Sequence, residues 1–417
     1  MAMTSEPSGS SFRLSMLIYD TRYRSITIQI LFLFLFMAGF AWLVDNTLAN
    51  LAQKGKDINF GFLGSRAGYD INQMLVNYTN DSSHARAWIV GLLNTLVLAV
   101  AACASATVIG VIAGVLRLSK SWIVSKIMTV YVEIFRNVPL LLWIIVIFAV
   151  LTEITPAPNA FRGENPTSSM FFFDSVAITN RGTYLPGALF DRSLGDINLG
   201  IVSVSTNYIV LIALIIASIW GYRALQRKAG VVQEATGVRP VTWWKSALIL
   251  IAPTLIALLA MGFHLEYPEL KGFNFQGGSY LRNSFIAMWL ALTLYTGAFI
   301  AENVRAGILA ISKGQTEAAF ALGLRPNRTM NLVILPQALR VIIPPLISQY
   351  LNITKNTSLA IAVGYMDLRA TLGGITLNQT GRELECMLLL MMTYLIVSLM
   401  ISGAMNVYNN SVKLKER

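Results

Sequence analysis

The sequence predicts an all-α, polytopic membrane protein of about eight spanning helices. Three observations predict it. Of 417 residues, 55% are hydrophobic and 13% charged; the apolar residues gather into long uncharged stretches; and Lys and Arg collect beside those stretches. The net charge of +11 does not point to nucleic acid, because the basic residues form no single patch interleaved with aromatics. Cys103 and Cys386 both fall in predicted spans, without metal or disulfide spacing, and read as buried structural thiols. His84 and His264 lie far apart near segment ends, so neither a metal site nor a catalytic histidine constellation is expected.

Residues 1 to 25 are polar and carry Arg13, Arg22 and Arg24, after which Ile26 to Val44 is free of charge. At about 1.5 Å per residue that stretch nearly crosses a hydrocarbon core of roughly 30 Å. The long leading region and the lack of a clear A-x-A site favour a retained first helix over a cleaved signal. Asp45 to Ala87 reads as an ordered external loop in which Gly61, Gly64 and Gly68 are turn residues. Trp88 to Leu116 forms the second span, and its many small residues, among them Gly91, Gly110 and Gly114, place it inside a bundle. Arg117, Lys120 and Lys126 mark a short turn.

The third span opens near Ile127, carries Glu133-Ile-Phe-Arg136-Asn-Val-Pro139 and continues from Leu140 to Leu151. Glu133 and Arg136 share one helix face, either as an internal pair that staples helices or as part of a transport route. Pro139 predicts a kink. Thr152 to Asn207 is a long connection whose Met170-Phe-Phe-Phe173 run is an interfacial anchor or a packed loop core. Spans four and five are Tyr208 to Trp220, extended by its flanks, and Ser246 to Phe263, with Arg223, Arg227, Lys228, Arg239 and Lys245 at or near the segment between them. After a loop from His264 to Arg282, the sixth span runs from Asn283 to about Ile311 and contains Glu302-Asn-Val-Arg305. The seventh, from about Ala338 to Val363, holds Lys355 well inside an apolar stretch. An unpaired ammonium there costs about 3 kcal/mol or more, so Lys355 is expected to face protein or water. Leu384 to Val407 is the eighth, giving segments 1–87, 88–151, 152–283 and 284–417.

Eight spans place both termini on one side. About 19 of the 32 Lys and Arg fall in the N-terminal, 116–126, 221–245, 305–340 and C-terminal segments, and about 11 in the opposite ones. The excess puts both termini and the 313–336 loop in the cytoplasm.

That loop organises the chain. Glu317 to Leu322 predicts a short helix with an Ala318/Ala319 face; Gly323 suits the left-handed residue that ends it; Pro326 turns the chain into a second short helix; and Pro336 marks the next boundary. Such a helix at the mouth of a bundle suits docking into a groove on another protein. Glu317-Ala318-Ala319, Gly323 and Leu335-Pro336 resemble the coupling loop of ABC importer permeases, EAA-x3-G-x9-I-x-LP, with Val333 in place of Ile. Gly91, Asn94, Thr95, Leu96, the Glu133–Leu141 run, Glu302-x-x-Arg305, Gly314-Gln315-Thr-Glu317, Leu335–Arg340 and Lys355–Leu359 look like the polar amino-acid permease family. Asn46–Leu51, Ala67–Ile71, Gly272–Gly278 and Asn378–Glu383 resemble its longer Q-type subunit of general L-amino-acid importers.

The resemblance implies a type I ABC importer permease core of five helices, mapped to spans two, three, six, seven and eight, with three additional helices. It also implies a bacterial inner-membrane location, a heterodimer with a second permease, two copies of a separate ATPase that binds ATP and Mg, and a periplasmic amino-acid-binding protein. No GxxxxGK[ST] occurs in this chain, so energy must arrive through another one. No HExxH, GxSxG or carboxylate–histidine cluster suggests an enzyme. On this reading Glu317, Ala318, Ala319, Gly323, Gln315, Leu335 and Pro336 serve ATPase coupling, and Lys355, Asn356, Ser358, Glu302 and Arg305 serve the L-amino-acid route, with Glu302 and Arg305 equally readable as a brace of the bundle near the cytoplasm. A gradient-driven secondary transporter is the rival, but it leaves the Glu317 loop without a purpose.

Overall fold

The computed structural model describes residues 16–53, 55, 57–163, 165–198 and 203–412. Arg13, Lys413, Lys415 and Arg417 of the expected basic termini lie outside the described residues. The chain divides between Phe60 and Gly61 into two compact units. In the first, helix α1 (Thr21–Gln53) is apolar throughout its middle and exposes that surface.

The second unit is built around α2 (His84–Leu116) and α7 (Asn283–Leu309), the most extensively packed helix pair. Between them come α3 (Trp122–Asn137), α4 (Leu140–Ala149), α5 (Thr206–Thr236) and α6 (Trp243–Ala260). Following them are α8 (Lys313–Ala321), α9 (Leu335–Asn356) and α10 (Glu383–Val412). Seven helices of the described chain are long and apolar enough to cross a membrane, and the α3–α4 pair makes up to eight. The expected third span is therefore not a kinked rod: Trp122–Asn137 and Leu140–Ile154 meet at 104°. Val138 and Pro139 are both extended, and Pro139 caps the second helix rather than bending a continuous one. Phe135 and Trp143 stack across the break with ring centroids 4.3 Å apart.

Small residues fix the central packing. A Cβ on Gly110 would lie 2.9 Å from the Gly297 carbonyl, and one on Gly114 would lie 2.6 Å from that of Ala301. The two backbones thus touch where any side chain would separate them. Polar side chains add cross-ties: Ser105 bonds Thr293 at 2.7 Å and accepts from the Trp289 indole, while Thr107 bonds Tyr350 on α9 at 2.7 Å. The α9 helix packs antiparallel on α7, with Ile342 and the Ala338 carbonyl lying over Gly307.

At the N-terminal end of α7, two connections read from sequence as separate loops form one cap. Its strands are β1 (Ala177–Thr179), β2 (Gly182–Leu185), β3 (Gly187–Phe190), β4 (Asp196–Asn198), β5 (Ser203–Ser205), β6 (Phe263–Glu266), β7 (Glu269–Lys271), β8 (Asn274–Gln276) and β9 (Ser279–Leu281). The antiparallel order β1-β2-β9 and the β3–β6 pair join the two connections. Asn283 ties the cap to α7 by donating to the carbonyls of Asn180 and Leu151. The Met170–Phe173 run is split between packing and exposure. Met170 packs with Tyr184 and Phe275, whereas Phe171, Phe172 and Phe173 are exposed.

Replacing Gly110 with Leu is expected to lower the stability of the solubilised protein by about 1–3 kcal/mol or more, because the added side chain meets backbone. Gly403→Leu, which meets open space, serves as control. Thermal unfolding in one detergent measures both.

Candidate functional site

The stretch from Lys313 to Pro336 emerges from the end of α7 opposite the cap. Helix α8 ends at Ala321 with Leu322 as its C-cap, and Gly323 takes φ +75°. The Gly323 amide donates to the Phe320 carbonyl at 2.9 Å and the Leu324 amide to the Ala319 carbonyl at 3.1 Å, the paired bonds of a Schellman ending. Glycine is required by the positive φ rather than by space, since nothing lies within 4 Å of an added Cβ. Pro326 then opens the short helix Pro326–Thr329, which passes through one wide turn at Met330–Ile334 into α9. Pro336 lies at the start of α9, directly after that wide turn.

The expected alanine face is corrected here. Ala319 is buried within this chain, while Ala318 and Glu317 are exposed. Beside them Phe320 and Leu322 are exposed, Leu322 by 83%, forming an apolar surface that sequence reasoning passed over. Gln315 accepts a hydrogen bond from Gln337 at 3.3 Å, so it braces α8 against the start of α9. Leu335 and Pro336 are exposed at that same junction.

Two turns before the end of α7, Glu302 gathers cations from three helices. Arg117 at the end of α2 donates to Oε2, Arg305 donates to Oε1 at 2.8 Å, and Arg136 of α3 stands 3.9 Å from Oε2. The Arg136 guanidinium also lies 5.3 Å from the Phe299 ring centroid. Glu133, expected to share a role with Arg136, instead accepts from Asn137 on its own exposed face. Both Glu302 oxygens are committed, which favours a brace over a free substrate contact.

Lys355 is exposed near the end of α9, and its ammonium has no hydrogen bond or ion pair among the described residues. Ser358 donates to the Lys355 carbonyl at 2.7 Å as the helix tightens, and Asn356 is the last α-helical residue, half-buried. Gly307 abuts Ile342 on antiparallel helices, so Lys355 lies on the order of 10 Å further along the bundle than Glu302. The expected pathway residues therefore form two separate groups.

A third polar group, at the cap end, was not foreseen as such. Asn94 donates to the carbonyls of Gln73 and Met366 at 2.8 and 2.9 Å, and Tyr365 donates to the Asn94 carbonyl at 2.9 Å. Thr95 accepts from the Leu368 amide at 3.0 Å, while Gly91 leaves room for Thr371. Asp367, fully buried, caps the turn by accepting from the Ala370 amide at 2.8 Å and accepts from Tyr394 at 3.3 Å. It is a lone acid in the apolar run after Val363, and that was its available signal. Among the described residues no group of His, Cys, Asp and Glu could hold a metal ion.

Burial pushes the Asp367 carboxyl up to about 6, against the opposing pull of its amide and hydroxyl donors. Its unfolded value is about 3.9, so between these values the folded chain holds more protons than the unfolded one. Stability is therefore expected to fall as pH rises from about 4 through about 6. Asp367→Asn should flatten that part of the profile of melting temperature against pH.

The family described as "binding-protein-dependent transport system inner membrane component" matches residues 106–413. The chain is 62% identical to the glutamate/glutamine/aspartate/asparagine transport system permease protein BztB of Rhodobacter capsulatus, over 100% of both chains. It is 42% identical to the general L-amino acid transport system permease protein AapQ of Rhizobium johnstonii, over 98% of this chain and 97% of that one. Its identity to the putative amino-acid ABC transporter permease protein YhdX of Escherichia coli is also 42%, over 90% and 91%.

Proposed function

The chain belongs to the binding-protein-dependent transport system inner membrane components, as a Q-type permease of the polar amino-acid ABC importers, and we propose that it imports acidic amino acids and their amides. The substrate range rests on the 62% identity to a permease named for glutamate, glutamine, aspartate and asparagine. The family implies an ATPase and a substrate-binding protein as partners. A second, related permease completes the pore in this reading, and the membrane is a bacterial inner membrane with both termini in the cytoplasm.

The observation that carries the mechanism is the exposed α8 helix, held by a Schellman ending and the Gln315–Gln337 bond at the end of the bundle opposite the cap. Glu317, Ala318, Phe320 and Leu322 offer one carboxylate and an apolar surface to a groove on the ATPase. Movement of α8 reaches the bundle by two short links: the loop back to α7, where the Glu302 node grips α2 and α3, and the turn at Met330–Ile334 into α9. ATP-driven closure of the ATPase pair would then bias the bundle between two packed arrangements.

Leu322→Asp is expected to lower ATP-driven glutamate uptake into proteoliposomes by about an order of magnitude without shifting the melting temperature, because Leu322 packs little within this chain. Full uptake with an intact complex would remove α8 from the coupling role. Uptake that unlabelled lysine competes as well as aspartate does would overturn the substrate range.

Lys355 is assigned to the translocation route at the face shared with the second permease. Lys355→Gln should reduce glutamate uptake severalfold while assembly and melting temperature stay unchanged, since its ammonium makes no bond within the described chain. Loss of the assembled complex would show a structural role instead.

A further inference from the structure

The α5–α6 hairpin carries a feature that coupling and transport leave unused. These two helices pack chiefly on each other, and most of their surface is exposed. At 31 residues α5 is about 46 Å long, well beyond a hydrocarbon core of roughly 30 Å. Its apolar run ends at Trp220, and one turn later Arg223 and Arg227 follow on the same side. With Trp220 and Ala224 they line an open cleft of about 400 Å³.

The neighbouring helix brings further interfacial groups to this level. Gln226 donates to Ser246 at 3.2 Å, and Gly221 lies against Ile249, so the cleft is level with the first turns of α6. Trp243, Trp244 and Lys245 occupy those turns, with the Lys245 ammonium 5.3 Å from the Trp244 ring centroid. Arg239 donates to the Gln226 side chain at 2.8 Å and adds a cation at the same height. Indole and guanidinium groups in one plane, just past the apolar run, mark the headgroup level of a bilayer.

Charge complementarity names the occupant. Glu234 is the lone acidic residue between 206 and 260, against five basic ones, and it lies two turns beyond Arg227. Neither Arg223 nor Arg227 has an ion pair among the described residues, and both are exposed. Two unneutralised guanidinium forks beside an exposed indole suit a phosphate diester, with the acyl chains running along the apolar length of α5. We propose that the cleft of Trp220, Arg223 and Arg227 binds the headgroup of an anionic phospholipid and anchors the hairpin in the leaflet on the α8 side of the bundle.

The test is native mass spectrometry of the full chain, released from discs of phosphatidylcholine containing a minor fraction of phosphatidylglycerol. Retained phosphatidylglycerol is expected to fall about thirtyfold in R223Q/R227Q, to persist in part in R223K/R227K, and to be unchanged in R325Q/R328Q. Glutamine keeps the helix, so the melting temperature should hold. Equal retention by R223Q/R227Q overturns the proposal. Protection of the melting temperature by inorganic phosphate in lipid-free detergent, lost in R223Q/R227Q, would assign the cleft to a soluble anion and overturn it too. So would loss of a co-purifying protein with phosphatidylglycerol retention intact.

Discussion

The contact on which the rest of the bundle depends is the approach of α2 to α7 through Gly110, Gly114 and Gly297. In hydrocarbon there is no solvent-driven gain from hiding one apolar side chain against another, so close packing of backbone is a principal source of attraction. Gly297 lies under the Tyr131 hydroxyl, which donates to the Leu294 carbonyl at 2.7 Å and seats α3 on the same helix. On the opposite side Gly307 accepts Ile342 and thereby places α9. One helix with small residues on several faces thus sets the position of three neighbours. Its own surface is largely buried.

Polar groups then fix what packing alone would leave free to slide. Near the α8 end, Glu302 joins the ends of α2, α3 and α7 through arginines. At the cap end, Asn94, Thr95 and Asp367 join α2 to the connection before α10. Between them the interior is apolar, with the hydroxyl pairs Ser105–Thr293 and Thr107–Tyr350 as the cross-ties. Polar networks at both ends suit a bundle that moves in blocks, because each block keeps its own bonds while the blocks shift.

Much of this was legible in the sequence, and the failures have physical reasons. Spans could be read because uncharged runs leave few alternatives, and Gly323 could be read because a left-handed ending needs that residue. The break at Val138-Pro139 was read as a kink, since a proline in an apolar run does not state how far the preceding residue departs from the helix. Ala318 and Ala319 were assigned one face, but neighbours in a helix point about 100° apart, and the return of the chain at Leu324 covers just one of them. Pairing of β2 with β9 and β3 with β6 joins segments about 80 to 100 residues apart. No local pattern encodes such pairing.

Lys355 is the expected pathway charge that the described residues leave unmet. Other charges at membrane depth are handled internally: Arg117 and Arg305 meet Glu302, and Arg136 adds the Phe299 ring. Lys355 alone among the expected pathway cations faces outward with no partner in the described chain, on a helix whose buried residues, such as Ile353 and Thr354, hold the other side against the core. Lipid cannot meet that charge cheaply, and the ammonium is too deep along α9 to reach the interface near Pro336. In the proposed pairing, a neighbouring permease surface or a water-filled route between the two would satisfy it. That requirement is the physical argument behind the proposed pairing with a second permease, separate from any likeness to known importers.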